Sequence, residues 1–309
     1  MRRLWLAIIL LGAVALPFAA AAQTKSPAPD LAYAAFQQGQ YLTAYSLASQ
    51  RIETNKDPAA MTLVGELLAN GFGVKRDEKR AAHWYKLAAD AGNREAIYAL
   101  GLLYLQGRGV VQNREEAARR FRDAAERGQP AAAYNLAVLY LEGKVFPRDV
   151  LAAMRWFRVG AEQDLTEAQH ALAILYKEGD GVQKDPSQAV RWLERAAKLD
   201  HVPAIIELGI AVFNGDGVQR DEKRAARLFR DGALRGNPVA QNRYARVLAT
   251  GRGVDQNSVD ACAWHLLARS QSVGDPTLDR VCDTLAPPAK EAAGQRLQNW
   301  LKGAAESRS

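Results

Sequence analysis

Cysteine is nearly absent from this chain. The 309 residues hold two, Cys262 and Cys282. So few thiols exclude a miniature fold stapled by several disulfides and a cysteine-rich zinc module. Histidine is scarce as well: His83, His170, His201 and His265 are scattered along the chain. They form no pair at zinc-ligand spacing, so no metal and no other cofactor is expected. The nucleophile motif Ser-x-x-Lys occurs nowhere, and no other catalytic constellation stands out. Low-complexity tracts are missing. The net charge is only +7, and Lys and Arg alternate with Asp and Glu. That pattern is a solvated surface and excludes the one-sided basic stripe of a nucleic-acid binder. Beyond the N-terminus no run is apolar enough to span a membrane.

The one long apolar run sits at the start. Arg2 and Arg3 precede the segment Leu4 to Leu16, which Pro17 breaks, and Ala20-Ala21-Ala22 comes next. This is the three-part layout of a secretory signal over residues 1–22, with cleavage expected before Gln23. The alternative is an uncleaved anchor, but the run falls short of the roughly 20 apolar residues a bilayer core needs. The arginine pair lacks the rest of a twin-arginine signature, and no cysteine stands after the small residues to carry a lipid. Cleavage removes Arg2 and Arg3 and takes the net charge from +7 to +5 (7 − 2). The mature chain is therefore expected in the periplasm, without stable membrane insertion. In an exported protein the two cysteines either bridge and fasten the C-terminal end or remain two thiols that never meet. A bridge over this loop length would contribute about 3 kcal/mol.

Self-similarity is the dominant signal. Gly71, Gly107, Gly143, Gly179, Gly215 and Gly251 recur at a constant spacing of 36 residues. Eleven positions before each stands alanine: Ala60, Ala96, Ala132, Ala168, Ala204 and Ala240. Six before stands Gly or Ala, ten after stands Ala, and an aromatic residue stands thirteen or fourteen after. A period between 20 and 50 residues marks a repeat architecture. Each unit reads as two helices. The first starts at cap or proline residues such as Asp57-Pro58, Asn93, Pro130, Pro203 and Asn237-Pro238, and ends at the glycine. A second glycine two positions on is expected to keep the turn open, and a valine after it to tuck the loop onto the core. Asp77, Asn113, Asp149, Asp185, Asp221 and Asn257 then cap the second helix. The small columns let helices cross closely, and the aromatic column fills the space beside them.

The pattern Ala-x3-Leu-Gly-x2-Tyr-x2-Gly-x-Gly-Val-x2-Asp, succeeded by Ala-x2-Trp-Tyr/Phe-x2-Ala-Ala, resembles the Sel-1-like repeat family, a relative of tetratricopeptide repeats. The stretch from Ala96 through Tyr104 to Gly107-Arg108-Gly109-Val110 carries it well. The third repeat departs: Val145 replaces the second glycine, and Phe146-Pro147 comes after it. The resemblance implies an all-α fold, a right-handed α-solenoid of antiparallel helix pairs. Six repeats of 36 residues then occupy 57–272. Residues 23–29 form a disordered leader and 30–56 a degenerate capping helix pair. Residues 273–309 form a C-terminal capping segment with a helix from Pro287-Pro288, whose apolar face includes Ala293, Leu297 and Trp300.

Transferred to this chain, the tetratricopeptide-like geometry gives an inner wall made of first-helix residues. In the middle repeats that wall reads apolar or aromatic: Tyr98, Leu102, Leu105, Tyr134, Val138, Leu141, His170, Ile174, Ile206, Ile210 and Phe213. The end repeats place polar or small residues in the same columns. An apolar floor with polar margins suits a peptide, and burial under neighbouring side chains is the competing reading. The expected function is a periplasmic scaffold or regulator, not an enzyme, holding a partner protein or peptide of the cell envelope. Relatives in the family imply envelope signalling or assembly. Some exported members are linked to β-lactams, so an enzyme acting on cell-wall material or β-lactams is one alternative, and a passive peptidoglycan-binding protein another. Oligomeric state is left open.

Overall fold

The structure, a computed structural model, describes residues 30–306. The expected signal peptide, 1–22, and leader, 23–29, lie outside the described residues. Sixteen helices and no strand occur among them. Two helices, α1 (Leu31–Gln37) and α2 (Tyr41–Asn55), precede the repeats. The repeats supply six pairs of 13-residue helices. These are α3 (Pro58–Asn70) with α4 (Glu78–Asp90), α5 (Arg94–Gln106) with α6 (Arg114–Glu126), and α7 (Pro130–Glu142) with α8 (Val150–Glu162). They continue as α9 (Thr166–Glu178) with α10 (Pro186–Lys198), α11 (Val202–Asn214) with α12 (Glu222–Leu234), and α13 (Pro238–Thr250) with α14 (Ser258–Ser270). Two more, α15 (Pro276–Thr284) and α16 (Pro287–Glu306), close the chain. The architecture is an all-α solenoid. It divides into two compact units, one up to Leu165 holding α1–α8 and one from Thr166 holding α9–α16.

Local chemistry fixes the start of every second helix. The side chains of Asp77, Asn113, Asp149, Asp185, Asp221 and Asn257 each accept a hydrogen bond from the backbone N–H three residues on, at 2.8–3.0 Å. Each such cap is worth about 1 kcal/mol. The same residues donate their own N–H back to the first helix, as Asp77 does to the Leu68 carbonyl and Asn257 to the Leu248 carbonyl, both at 2.9 Å. One residue thus caps the second helix and ties its start to the first. Asp57, Asn93 and Asn237 cap first helices in the same way. Pro130 is preceded by a Gln129 cap, and α11 is capped by the Nδ1 of His201.

The small columns are crossing points. All six alanines of the first column are at most 1% exposed. Six residues before the terminal glycine, Gly65, Gly101 and Gly209 lie directly under the rings of Tyr85, Phe121 and Phe229. A Cβ there would fall 2.7–2.8 Å from ring carbons. The ring column is therefore the filler the spacing predicted, and burying each large apolar side chain stabilises by about 1.5–3 kcal/mol. In the last repeat that column holds His265. It is fully buried, and its Nε2 lies 2.8 Å from Asp279 of α15. The valines after the loop glycines, Val74, Val110, Val218 and Val254, pack against the core as expected.

The second loop glycine has a role different from the expected one. Its bare Cα presses on the start of the preceding repeat's second helix. A Cβ on Gly109 or on Gly253 would sit 2.1 Å from the carbonyl oxygen of Glu78 or Glu222 respectively. The glycine does not hold the turn open; it lets two backbones touch, and the left-handed φ of +69° and +75° comes with that fit.

At the C-terminal end Cys262 of α14 and Cys282 of α15 are joined, with Cα atoms 5.1 Å apart. Trp300 of α16 stacks on Trp264 at 4.1 Å between centroids. The helix α15 had been covered only by the expectation of a capping segment. Its start carries the same Asp-Pro signal as α3: Asp275 caps it by accepting from the Thr277 N–H, and Pro276 takes the first position.

Candidate binding surface on the first helices

The expected wall is partly core. Tyr98, Leu105, Tyr134, Val138 and Ile206 are each at most 7% exposed, so they cannot line an open groove. The reason is visible in their neighbours. The Tyr98 ring packs 5.8 Å from Phe121, and its hydroxyl accepts from Asn135 Nδ2 of the next first helix. Tyr134 packs 5.3 Å from Phe157. Ile206 lies beneath Gly232 of α12. The column nine residues before the glycine therefore faces the partner helix and the next repeat. Leu102, Leu141, His170, Ile174, Ile210 and Phe213 are half-buried and keep part of their surface open.

His170 keeps part of its surface open but turns its Nε2 inward. Its ring lies 5.1 Å from that of His201, and its Nε2 is buried with no hydrogen-bond partner among the described residues. Burial first, then the neighbouring His201, pushes its pKa down to about 4. It is a neutral imidazole at neutral pH. Among the described residues no group of three His, Cys, Asp or Glu is placed to hold a metal ion.

Within the second unit the open first-helix surface deepens into a cavity of about 350 Å³ between α11, α13 and α15. Its floor is Ile210, Phe213, Phe229, Val247, Leu278 and Val281. Its rim carries three guanidinium groups, Arg243, Arg246 and Arg252. Arg252 lies over the Phe213 ring, 4.0 Å from its centroid, and donates from Nε and Nη2 to Glu222. Hydrogen bonds from Arg252 and Arg220 pull the Glu222 carboxyl down to about 2. Arg246 donates from Nε to Asp275, whose carboxylate also accepts from Asn242. Burial works against the charge of Asp275, but these hydrogen bonds outweigh it and hold its carboxyl below the usual range. Arg243 is exposed and has no hydrogen-bond or ion-pair partner among the described residues. A second cavity of about 200 Å³, whose lining includes Lys177 and Lys184 with Glu178, Glu207 and Asp216, shares Ile210 with the first.

Sequence reasoning found Ile210 and Phe213 but treated the last repeat as a polar end. Arg246, five before the last glycine, falls in a wall column but reads there only as a polar end, and Arg243 falls in none of the wall columns. The signal was present: in the column eight before the glycine the other repeats hold Leu63, Ala99, Asn135, Ala171 and Glu207, so Arg243 is the sole cation there.

The first unit has a cavity at the same register, 144 residues earlier, of only about 70 Å³. There Glu66 stands for Ile210, Ala69 for Phe213, Ala99 for Arg243 and Leu102 for Arg246, while Arg108 matches Arg252. Glu66 accepts from the Tyr85 hydroxyl at 3.2 Å and from Asn70 Nδ2 at 3.0 Å. Burial nevertheless pushes its carboxyl up. One fold position therefore carries opposite chemistry in the two units, a buried acid in one and an apolar floor under cations in the other.

The family described as Sel1 repeat matches residues 58–93, 94–129, 130–165, 166–201, 202–237 and 238–273. A Sel1 repeat protein from Oxalobacter formigenes is 31% identical over 78% of this chain and 98% of its own, with a TM-score of 0.68. A protective antigen present in uropathogenic Escherichia coli strains, displaying an SLR fold, is 24% identical over 85% of this chain and 64% of its own, with a TM-score of 0.51. No curated protein matches the chain.

Proposed function

We propose, because this chain belongs to the Sel1 repeat family, that it is a scaffold for another protein and that the first-helix surface of its second unit is where the partner sits. Sel1 repeat proteins are generally protein-interaction scaffolds, typically without catalysis of their own. The carrying observation is the cavity of about 350 Å³ with its apolar floor and cationic rim. An apolar recess with a few convergent polar groups is how folded proteins hold ligands and peptides. The half-buried Ile210 and Phe213 supply the anchor site, and the neighbouring recess across Ile210 lengthens it.

The N-terminal signal layout supports a periplasmic location for this scaffold, and the partner is then an envelope protein, in signalling or in assembly. Sequencing of the mature N-terminus after fractionation tests the location: cleavage before Gln23 in the periplasmic fraction is expected, and an intact Met1 in the cytoplasm would refute it. Photo-crosslinking in the native cell tests the surface. A photoreactive residue at Phe213 or Thr250 should give specific adducts, and one at Lys223, on α12, should not. Equal yields at all three positions, with the fold intact, would refute this assignment.

A further inference from the structure

We infer that the recess of the second unit selects an acidic peptide segment, one that presents an apolar side chain beside Asp or Glu carboxylates. The inference rests on the scaffold reading above and names the chemistry of the partner.

The rim and the floor make separate demands on a guest. No acidic side chain lines the recess, while three arginines do. Two of them are already engaged, Arg246 by Asp275 and Arg252 by Glu222, yet each through only part of its guanidinium. Arg246 uses Nε, and Arg252 uses Nε and Nη2, so N–H groups remain on both. The intramolecular acids thus orient the two forks over the recess. Arg243 is left exposed one turn before Arg246 on α13. Guanidinium groups recognise carboxylates in fork geometry, so this rim is built for oxyanions.

The floor asks for something different. Phe213 and Ile210 offer an apolar surface, and Arg252 flattened over Phe213 exposes a cation beside it. A bare anion gains nothing from that floor, whereas a peptide with an aromatic or aliphatic anchor fills it while its acids meet the rim. The neighbouring recess across Ile210 mixes Glu178, Glu207 and Asp216 with Lys177 and Lys184, so the acidic preference belongs to the arginine-rimmed recess alone. The first unit supplies the contrast, since its equivalent recess has lost both extra arginines and holds Glu66. An acidic guest meets three arginines in the second unit and one, Arg108, in the first.

The test uses the mature full-length protein and the fluorescent capped peptide acetyl-Asp-Leu-Asp-Phe-Glu-Asp-Leu-amide, read by anisotropy. Two matched peptides replace every acid by Asn or Gln, or by Lys. The acidic peptide should bind most tightly, by at least about tenfold over the neutral one, and should weaken as salt is raised. Arg243→Glu should weaken it about tenfold with an unchanged melting curve, because Arg243 is exposed and holds no structural partner. Arg227→Glu makes the same charge change outside the recess and should leave affinity within about twofold. Phe213→Ser, checked for folding by circular dichroism, should also weaken the acidic peptide. Equal binding of neutral or Lys peptides overturns the inference, as does indifference to Arg243→Glu, binding of none of the three, or equally tight binding of a single-stranded oligonucleotide. Neutral peptides that bind and depend on Phe213 would overturn the acidic preference and leave the scaffold standing. The scaffold reading fails separately, through the crosslinking result.

Discussion

Replacing Gly253 by alanine should destabilise the second unit far more than the same replacement at Gly236, although both glycines are left-handed. Gly253 has φ +75° and Gly236 has φ +83°. An L-residue in that region costs about 1–2 kcal/mol, and this applies to both positions. The surroundings then separate them. A Cβ on Gly236 meets nothing within 4 Å, so the conformational cost is the whole effect. A Cβ on Gly253 falls 2.1 Å from the Glu222 carbonyl oxygen, 2.4 Å from its carbon and 2.8 Å from the Lys223 nitrogen. These are backbone atoms at the start of α12 and cannot rotate away. The loop must lift from the preceding repeat, and overpacking of this kind adds about 1–3 kcal/mol. The expected losses are about 2–5 kcal/mol for Gly253→Ala and about 1–2 for Gly236→Ala. Urea unfolding monitored by far-UV circular dichroism gives both values, and amide exchange across α12–α14 shows where protection is lost. Equal destabilisation by the two variants would refute the docking role assigned to the second loop glycine.

The same geometry sets other outcomes. Removing the disulfide with Cys262→Ser and Cys282→Ser together should cost about 3 kcal/mol and open α15 to protease before the repeats. His170 has a folded pKa near 4, well below its ordinary 6.5. The unfolded chain therefore takes up the proton first, so stability should fall as pH drops from about 6.5 to 4, by up to about 3 kcal/mol, and then level off. NMR titration locates the His170 pKa, and the slope should become shallower in His170→Gln, with a remainder from His201, whose pKa burial also lowers. Burial raises the Glu66 carboxyl, so its ionised form is the disfavoured one in the folded state. Its effect is absent at acid pH and grows as pH rises through its folded pKa. Glu66→Gln keeps an acceptor for Tyr85 and should raise the melting temperature at neutral pH but not at acid pH.

The architecture was readable because each repeat states its own boundaries. Six glycines in register, six capping Asp or Asn residues and an alanine column name the helices, their ends and their crossing points without reference to tertiary contacts. The wall was less readable, because exposure depends on how far neighbouring helices rotate toward one another. Tyr98 and Tyr134 look like groove residues by spacing, yet rotation turns them onto Phe121 and Phe157. A column offset of nine cannot carry that information. His265 shows the same limit: it occupies the ring column in register, and only the position of Asp279 reveals why a polar ring is accepted there. The basic rim escaped for another reason. Arg243 and Arg246 belong to the last repeat, and their meaning comes from Phe213 one repeat earlier.

Every helix from α3 to α14 spans 13 residues, so the chain works as a ruler with one fixed division. An excised or duplicated block of 36 residues returns each cap, crossing and ring to an equivalent neighbour, whereas a block that is not a whole multiple of 36 puts a side chain where a glycine must touch a carbonyl. Growth or shrinkage of such a chain is therefore quantised. Two guest-holding recesses brought onto one stack by duplication could stand only whole divisions apart, and a partner with two anchors would have to match that gauge.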